Sequence, residues 1–166
     1  MDVIRKVFRQ EVVLNAIILW SLFILGCGDE GPSIRYGHIA CDECHMIISE
    51  AVFSAALRTE SGEDLFFDDI GCLFSTLSKG VKPARVWIHD YPSHHWIPAE
   101  SAFFSISSHL KTPMGYGVVG FQSELDARER SRGWNGRVYD FNELLTQSDL
   151  FLKRKGIQHA NESAIS

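Results

Sequence analysis

Apolar residues recur along this chain with two periods, and the switches between them mark out its elements. Ala51 to Thr59 and Leu65 to Phe67 read as strands on either side of Glu60-Ser61-Gly62-Glu63, a hairpin turn. Ile70, Leu73, Phe74 and Leu77 then fall at i, i+3, i+4 and i+7, the stripe of a helix. Asp68 or Asp69 caps its start and Gly80 stops it. Arg85 to His89 is a further strand, so this part reads β-β-α-β. The order then repeats. Ala102 to Ser107 and Gly117 to Phe121 are strands, separated by a loop that contains Thr112-Pro113-Met114-Gly115. Ser123 with Asp126 opens a charged helix through Arg132, Gly133 to Gly136 turns, and Val138-Tyr139 is a short strand. Asp140 and Glu143 cap a last helix whose apolar residues are Phe141, Leu144 and Leu145. The expected fold class is α+β: two tandem β-β-α-β units, about 38–90 and 91–155, forming one domain over 38–155. The repeat lies in element order and not in residue identity.

Ahead of that domain the pattern differs. Arg5, Lys6 and Arg9 precede an apolar stretch from Val12 to Leu25, interrupted by Asn15 and Ser21. Its 14 residues fall short of the roughly 20 of a spanning helix but suit a signal-peptide core. It ends in Ile24-Leu25-Gly26-Cys27, which resembles the lipobox of bacterial lipoproteins. That resemblance implies cleavage of residues 1–26 and a lipid on Cys27, with 28–37 as a polar tether. The domain is then expected in the cell envelope, anchored to a membrane and facing the periplasm or the exterior. Residues 156–166 are polar and read as a disordered tail.

Composition narrows the function. Of 166 residues 45% are hydrophobic, enough for a core, and the net charge of -5 excludes nucleic acid as the main partner. Once Cys27 carries lipid, Cys41, Cys44 and Cys72 remain. An odd number cannot close into disulfides, so at least one thiol stays free in an oxidising compartment.

Candidate chemistry concentrates in Cys41-Asp42-Glu43-Cys44-His45-Met46. A CxxC alone is shared by zinc, redox and copper sites. Met46 changes the balance, because a thioether is a soft donor suited to Cu(I), whereas zinc takes thiolate, imidazole and carboxylate. If 44–46 is extended, Cys44 and Met46 share a face and His45 points away. Besides Met1 the chain has only Met46 and Met114, neither in a strongly apolar run. A methionine is ordinarily a core filler. Met114, held between Pro113 and Gly115, instead reads as a thioether presented on a loop.

With these residues in view, Cys41-x-x-Cys44-His45-Met46 resembles the Cys-x-x-Cys-Gly-Met motif of the NosL lipoproteins, accessory copper proteins of nitrous oxide reductase. The resemblance runs on through Phe67-Asp68-Asp69-Ile70-Gly71-Cys72, Val86-Trp87-Ile88-His89-Asp90-Tyr91, Trp96-Ile97-Pro98-Ala99-Glu100 and Pro113-Met114-Gly115-Tyr116. It implies a Cu(I) carrier, not an enzyme, with Cys44, Met46 and Met114 as ligands and Cys41 next. It also implies partners: a membrane transporter and a copper-enzyme client, nitrous oxide reductase, served by ligand exchange. His45 stands where the family has Gly, which would allow a tight backbone.

Other residues carry less. Cys72 falls on the helix face opposite Ile70, Leu73 and Phe74, near a positive N-terminus that favours a thiolate, yet it reads best as a small, partly buried thiol. His89 and His109 read as structural, His94 and His95 as solvated loop residues, and Tyr91, Trp96 and Tyr116 as packing between the halves. Two alternatives remain: a thiol-disulfide oxidoreductase using Cys41 and Cys44, and a structural zinc domain adding two of His89, His94 and His95.

Overall fold

The computed structural model describes residues 31–148 and Leu152. The expected signal peptide, the expected lipidation site Cys27, the first three residues of the tether and the 156–166 tail lie outside the described residues.

The turn chemistry forms the first hairpin. Strand β1 (Ala55–Thr59) pairs antiparallel with β2 (Asp64–Phe67), joined through Gly62 at φ +88° and clamped by Arg58 Nε donating to Asp64 Oδ1 at 2.6 Å. The strand expected from Ala51 starts later. Ala51–Phe53 is a 3-10 turn, because Ser54 N–H and Ser54 Oγ both donate to the Ala51 carbonyl. Helix α1 (Ile70–Ser78) follows, capped by Asp69, whose Oδ1 accepts from Gly71 N–H at 2.8 Å. Gly80, at φ +90°, ends that turn of chain. Strand β3 (Pro83–His89) returns beside β1, and β4 (Trp96–Pro98) adds to its far edge. The first sheet therefore runs β2-β1-β3-β4.

The second unit uses the same order. Strands β5 (Phe103–Ile106) and β6 (Val118–Phe121) pair antiparallel, helix α2 (Glu124–Gly133) follows, and β7 (Arg137–Asp140) pairs on the other side of β5. The sheet reads β6-β5-β7. Asp140 and Glu143 form a reciprocal capping box, each side chain accepting the other's backbone N–H, at the start of α3 (141–148). The fold is thus two tandem β-β-α-β units, with β4 as an additional strand in the first sheet.

The units share one interior. Phe74 of α1 meets Phe104 of β5 edge-on at 5.6 Å and Phe141 of α3 at 5.7 Å. The sheets touch through a parallel bridge between Asp90 and Gly120, and the buried Asp90 Oδ1 accepts from Gln122 N–H at 2.9 Å. A side chain at 120 would meet Ile88 Cδ1, so any larger residue there would push the buried Ile88 aside where the sheets approach. Of the three aromatics expected between the halves, Tyr116 packs there, against Gly71 of α1. Tyr91 stacks with Phe121 and Trp134 in the second unit, while Trp96 lies on His89 within the first sheet. Among the described residues no helix is long and apolar enough to cross a membrane.

Candidate metal centre

The two residues between Cys41 and Cys44 place that segment. Asp42 pairs with the edge of β2 like an extra strand residue: its N–H donates to Phe66 O at 2.9 Å, and its Oδ2 accepts from Phe66 N–H at 2.6 Å. Glu43 reaches the other way, onto α1. Its carboxylate accepts from Ser75 Oγ at 2.7 Å, Thr76 Oγ1 at 2.9 Å and Lys79 Nζ at 2.5 Å. Burial works against its charge, but these donors hold the Glu43 carboxyl below the usual carboxylate range. The loop is thereby fastened to strand and helix together.

Its backbone closes on itself rather than extending. Cys41 N–H donates to Met46 O at 2.8 Å, His45 N–H to Cys41 O at 2.9 Å, and Ala40 bridges to Ile47. His45 sits at φ +62°, the left-handed region where glycine is the easy occupant. His45 thus occupies a tight turn in the conformation that glycine favours. The alternation expected for 44–46 does not hold, because a left-handed residue between Cys44 and Met46 breaks the strand period. Cys44 is half-buried, His45 exposed, and Met46 58% exposed.

This docking brings three sulfurs together. The Sγ atoms of Cys41, Cys44 and Cys72 all lie within 4.8 Å of one another. Cys41 and Cys72 are fully buried, and all three are free thiols. Among the described His, Cys, Asp and Glu residues, this group holds no histidine. His89 is engaged elsewhere, with Nε2 3.0 Å from Tyr36 Oη and Nδ1 2.9 Å from the His94 carbonyl. His94 and His95 are exposed, as the loop reading expects.

Cys72 is the residue that sequence reasoning passed over. Its face of α1, opposite the apolar stripe, is the one that receives the CxxC turn. Nor does the helix N-terminus make Cys72 the thiolate. The Cys72 thiol donates to Cys41, which pushes Cys72 far up, and burial adds to this. The same hydrogen bond, with backbone N–H groups of Cys44, Asp68 and Glu43, overcomes burial and lowers Cys41 to about 5. Burial is the main cause that raises Cys44. Among the three, the negative charge is favoured on Cys41 over Cys44 and Cys72.

Met114 arrives from the second unit. Asp69, besides capping α1, accepts through Oδ2 from Thr112 Oγ1 at 2.5 Å and Met114 N–H at 3.0 Å. One buried carboxylate therefore fixes both the helix turn that carries Cys72 and the loop that carries Met114. Met114 is half-buried and packs, like Cys44, against the main core. Asp68, the other candidate cap, instead accepts from Ser49 N–H at 3.4 Å, and burial raises its pKa.

A family model for NosL matches residues 36–148, most of the chain and all the elements described above. The chain belongs to the NosL family. Among solved structures, the crystal structure of the copper chaperone NosL from Shewanella denitrificans shares the fold, with a TM-score of 0.61. The two are 23% identical, over 70% of this chain and 96% of that one. No curated protein matches the sequence. NosL membership and a cluster of three cysteines both fit copper binding.

Proposed function

We propose that this NosL protein carries one Cu(I) ion on its cysteine cluster and surrenders it to an extracytoplasmic copper enzyme, nitrous oxide reductase, without catalysing a reaction itself. The observation that carries the reading is the convergence of three sulfurs from two elements within 4.8 Å. Three sulfur donors suit the low coordination of Cu(I), whereas a structural zinc site closes with a fourth thiolate, imidazole or carboxylate that is not part of this cluster. Cys41 and Cys44 supply the turn's thiolates and Cys72 the helix's. Met46 and Met114 supply thioethers from the loops on either side. Copper would displace the Cys72 and Cys44 protons, so loading releases protons and weakens as pH falls.

Ligand exchange accounts for release. The exposed Met46 can meet an incoming ligand while the buried sulfurs still hold the ion, and a neutral thioether lets go more readily than a thiolate. A lipid on Cys27 would keep this exchange near a membrane transporter and the client in the envelope.

Competition titration with bathocuproine tests the metal claim. One Cu(I) should bind per chain, Cys44→Ser should weaken it more than about 100-fold, and Met46→Ala and Met114→Ala should each cost less. Unchanged affinity in Cys44→Ser would overturn the site. Delivery is tested by mixing loaded protein with copper-free nitrous oxide reductase and separating the two. Copper should move to the reductase, and retention on the carrier would contradict the client.

A further inference from the structure

A cleft lies away from the sulfur cluster, in the other unit. It has a volume of about 470 Å³, and its wall includes Arg128 and Arg132 of α2 and Arg137 and Tyr139 of β7. Local geometry produces the convergence. Arg128 and Arg132 are one helical turn apart and share a face. Between them Ser131 turns inward, its Oγ 2.7 Å from Ser105 Oγ, which fastens the helix to β5. After Asn135 at φ +52°, Gly136 N–H donates to Ser131 O at 2.8 Å, so β7 starts beside the helix end. Arg137 and Tyr139, two residues apart on β7, then line the same cleft.

Three guanidiniums around one space repel each other, and the lining contains no carboxylate. Among the described residues Arg128 is paired with Glu124, while Arg132 and Arg137 have no ion-pair partner. The helix macrodipole accounts for an arginine in the last turn of α2 but not for Arg137, which is outside the helix. The rest of the chain is acidic enough to leave a net charge of -5, so the cleft stands out as a local positive site.

We propose that this cleft binds a phosphate group. A carboxylate offers two oxygens and is satisfied by one guanidinium fork. A phosphate offers three or four oxygens and accepts from several forks at once, with the Tyr139 hydroxyl as a further donor. The group can belong to an anionic phospholipid headgroup or to a free phosphate, and the two share this chemistry.

Isothermal titration calorimetry on the full chain, in a neutral phosphate-free detergent, tests it with two probes. One is inorganic phosphate; the other is glycerophosphoglycerol, the soluble headgroup of phosphatidylglycerol. Saturable binding of one ligand per chain is expected, weakened about tenfold or more in the Arg132→Gln/Arg137→Gln double variant. The double variant should keep the wild-type melting temperature and Cu(I) stoichiometry, because both arginines are exposed and far in sequence from the cysteines. Binding of glycerophosphoglycerol alone assigns the cleft to a lipid headgroup, and binding of inorganic phosphate alone to a free ion. Binding of both supports the phosphate site itself. If neither probe saturates, or the double variant binds both as tightly as wild type, the proposal is wrong.

Discussion

In the first unit the helix after the hairpin buries Ile70, Gly71, Cys72, Leu73, Phe74 and Thr76; in the second, the helix at the same place buries Ala127 and Ser131. Strand order around the two is the same, β2-β1-β3 against β6-β5-β7. The difference lies in what each helix is asked to hold. Helix α1 is wedged between its sheet, the CxxC turn and the second unit, so a thiol on it is taken out of water and fixed against two others. Helix α2 lies on β5 through small residues and leaves Arg128 and Arg132 facing a cleft. One topology thus supports a buried sulfur site and an open basic one, and helix burial decides which.

Breaking the comparison at the core should have the largest effect. Phe74→Ala removes ring contacts to both Phe104 and Phe141 and should cost about 3–5 kcal/mol in urea unfolding. Leu125→Ala on α2, 66% exposed, should stay within about 0.5 kcal/mol. Equal costs would mean that α1 is not the element that the core is built on.

The helix caps come next. Asp69→Ala loses the cap of α1 and two bonds to the Met114 loop, about 2–3 kcal/mol together. Ser123→Ala on α2 loses one bond of 3.4 Å, and its melting curve should shift by no more than about 1 kcal/mol.

A smaller change sharpens the account of how the CxxC turn is placed. Glu43→Ala frees it from Ser75, Thr76 and Lys79 and should weaken Cu(I) about tenfold in competition titration, with the fold intact. In the second unit, Glu124→Ala frees Arg128 and should leave copper binding untouched.

The smallest effect concerns pH. Burial lowers the pKa of His89, so the folded protein keeps it neutral where the unfolded chain takes up a proton. Stability should therefore fall as pH drops through about 6.5, and His89→Gln should flatten that slope in denaturant titrations at several pH values. An unchanged slope would remove His89 as its source.

What the sequence discloses follows from how local each feature is. The caps at Ser123 and Asp140–Glu143 are settled within a few residues and could be read from spacing alone, whereas spacing left Asp68 and Asp69 both open and the structure selects Asp69. Strand β4 could not: Trp96-Ile97-Pro98 is short, and what makes it a strand is pairing with His89, Ile88 and Trp87 of β3. The start of β1 is displaced by Ser54, whose hydroxyl folds back on Ala51. Within the site, Cys41 and Cys44 were visible from their motif. Cys72 was visible only as a thiol on a helix, because Asp42 and Glu43 bring it to the others through contacts with residues more than twenty positions away. His45 is exposed and outside the cysteine cluster, but the backbone premise behind that reading did not hold. Extended backbone was assumed, and a residue at φ +62° breaks the strand alternation on which Cys44 and Met46 were placed on one face.

The central claim is that Cu(I) rests among sulfurs drawn from both the turn and the helix. Copper K-edge X-ray absorption on the loaded protein, wild type and Cys72→Ser, tests it most directly. A first shell of sulfur alone, reduced by one sulfur in the variant, is the predicted result; a shell with nitrogen or oxygen in wild type, or one unchanged by the loss of Cys72, would contradict it.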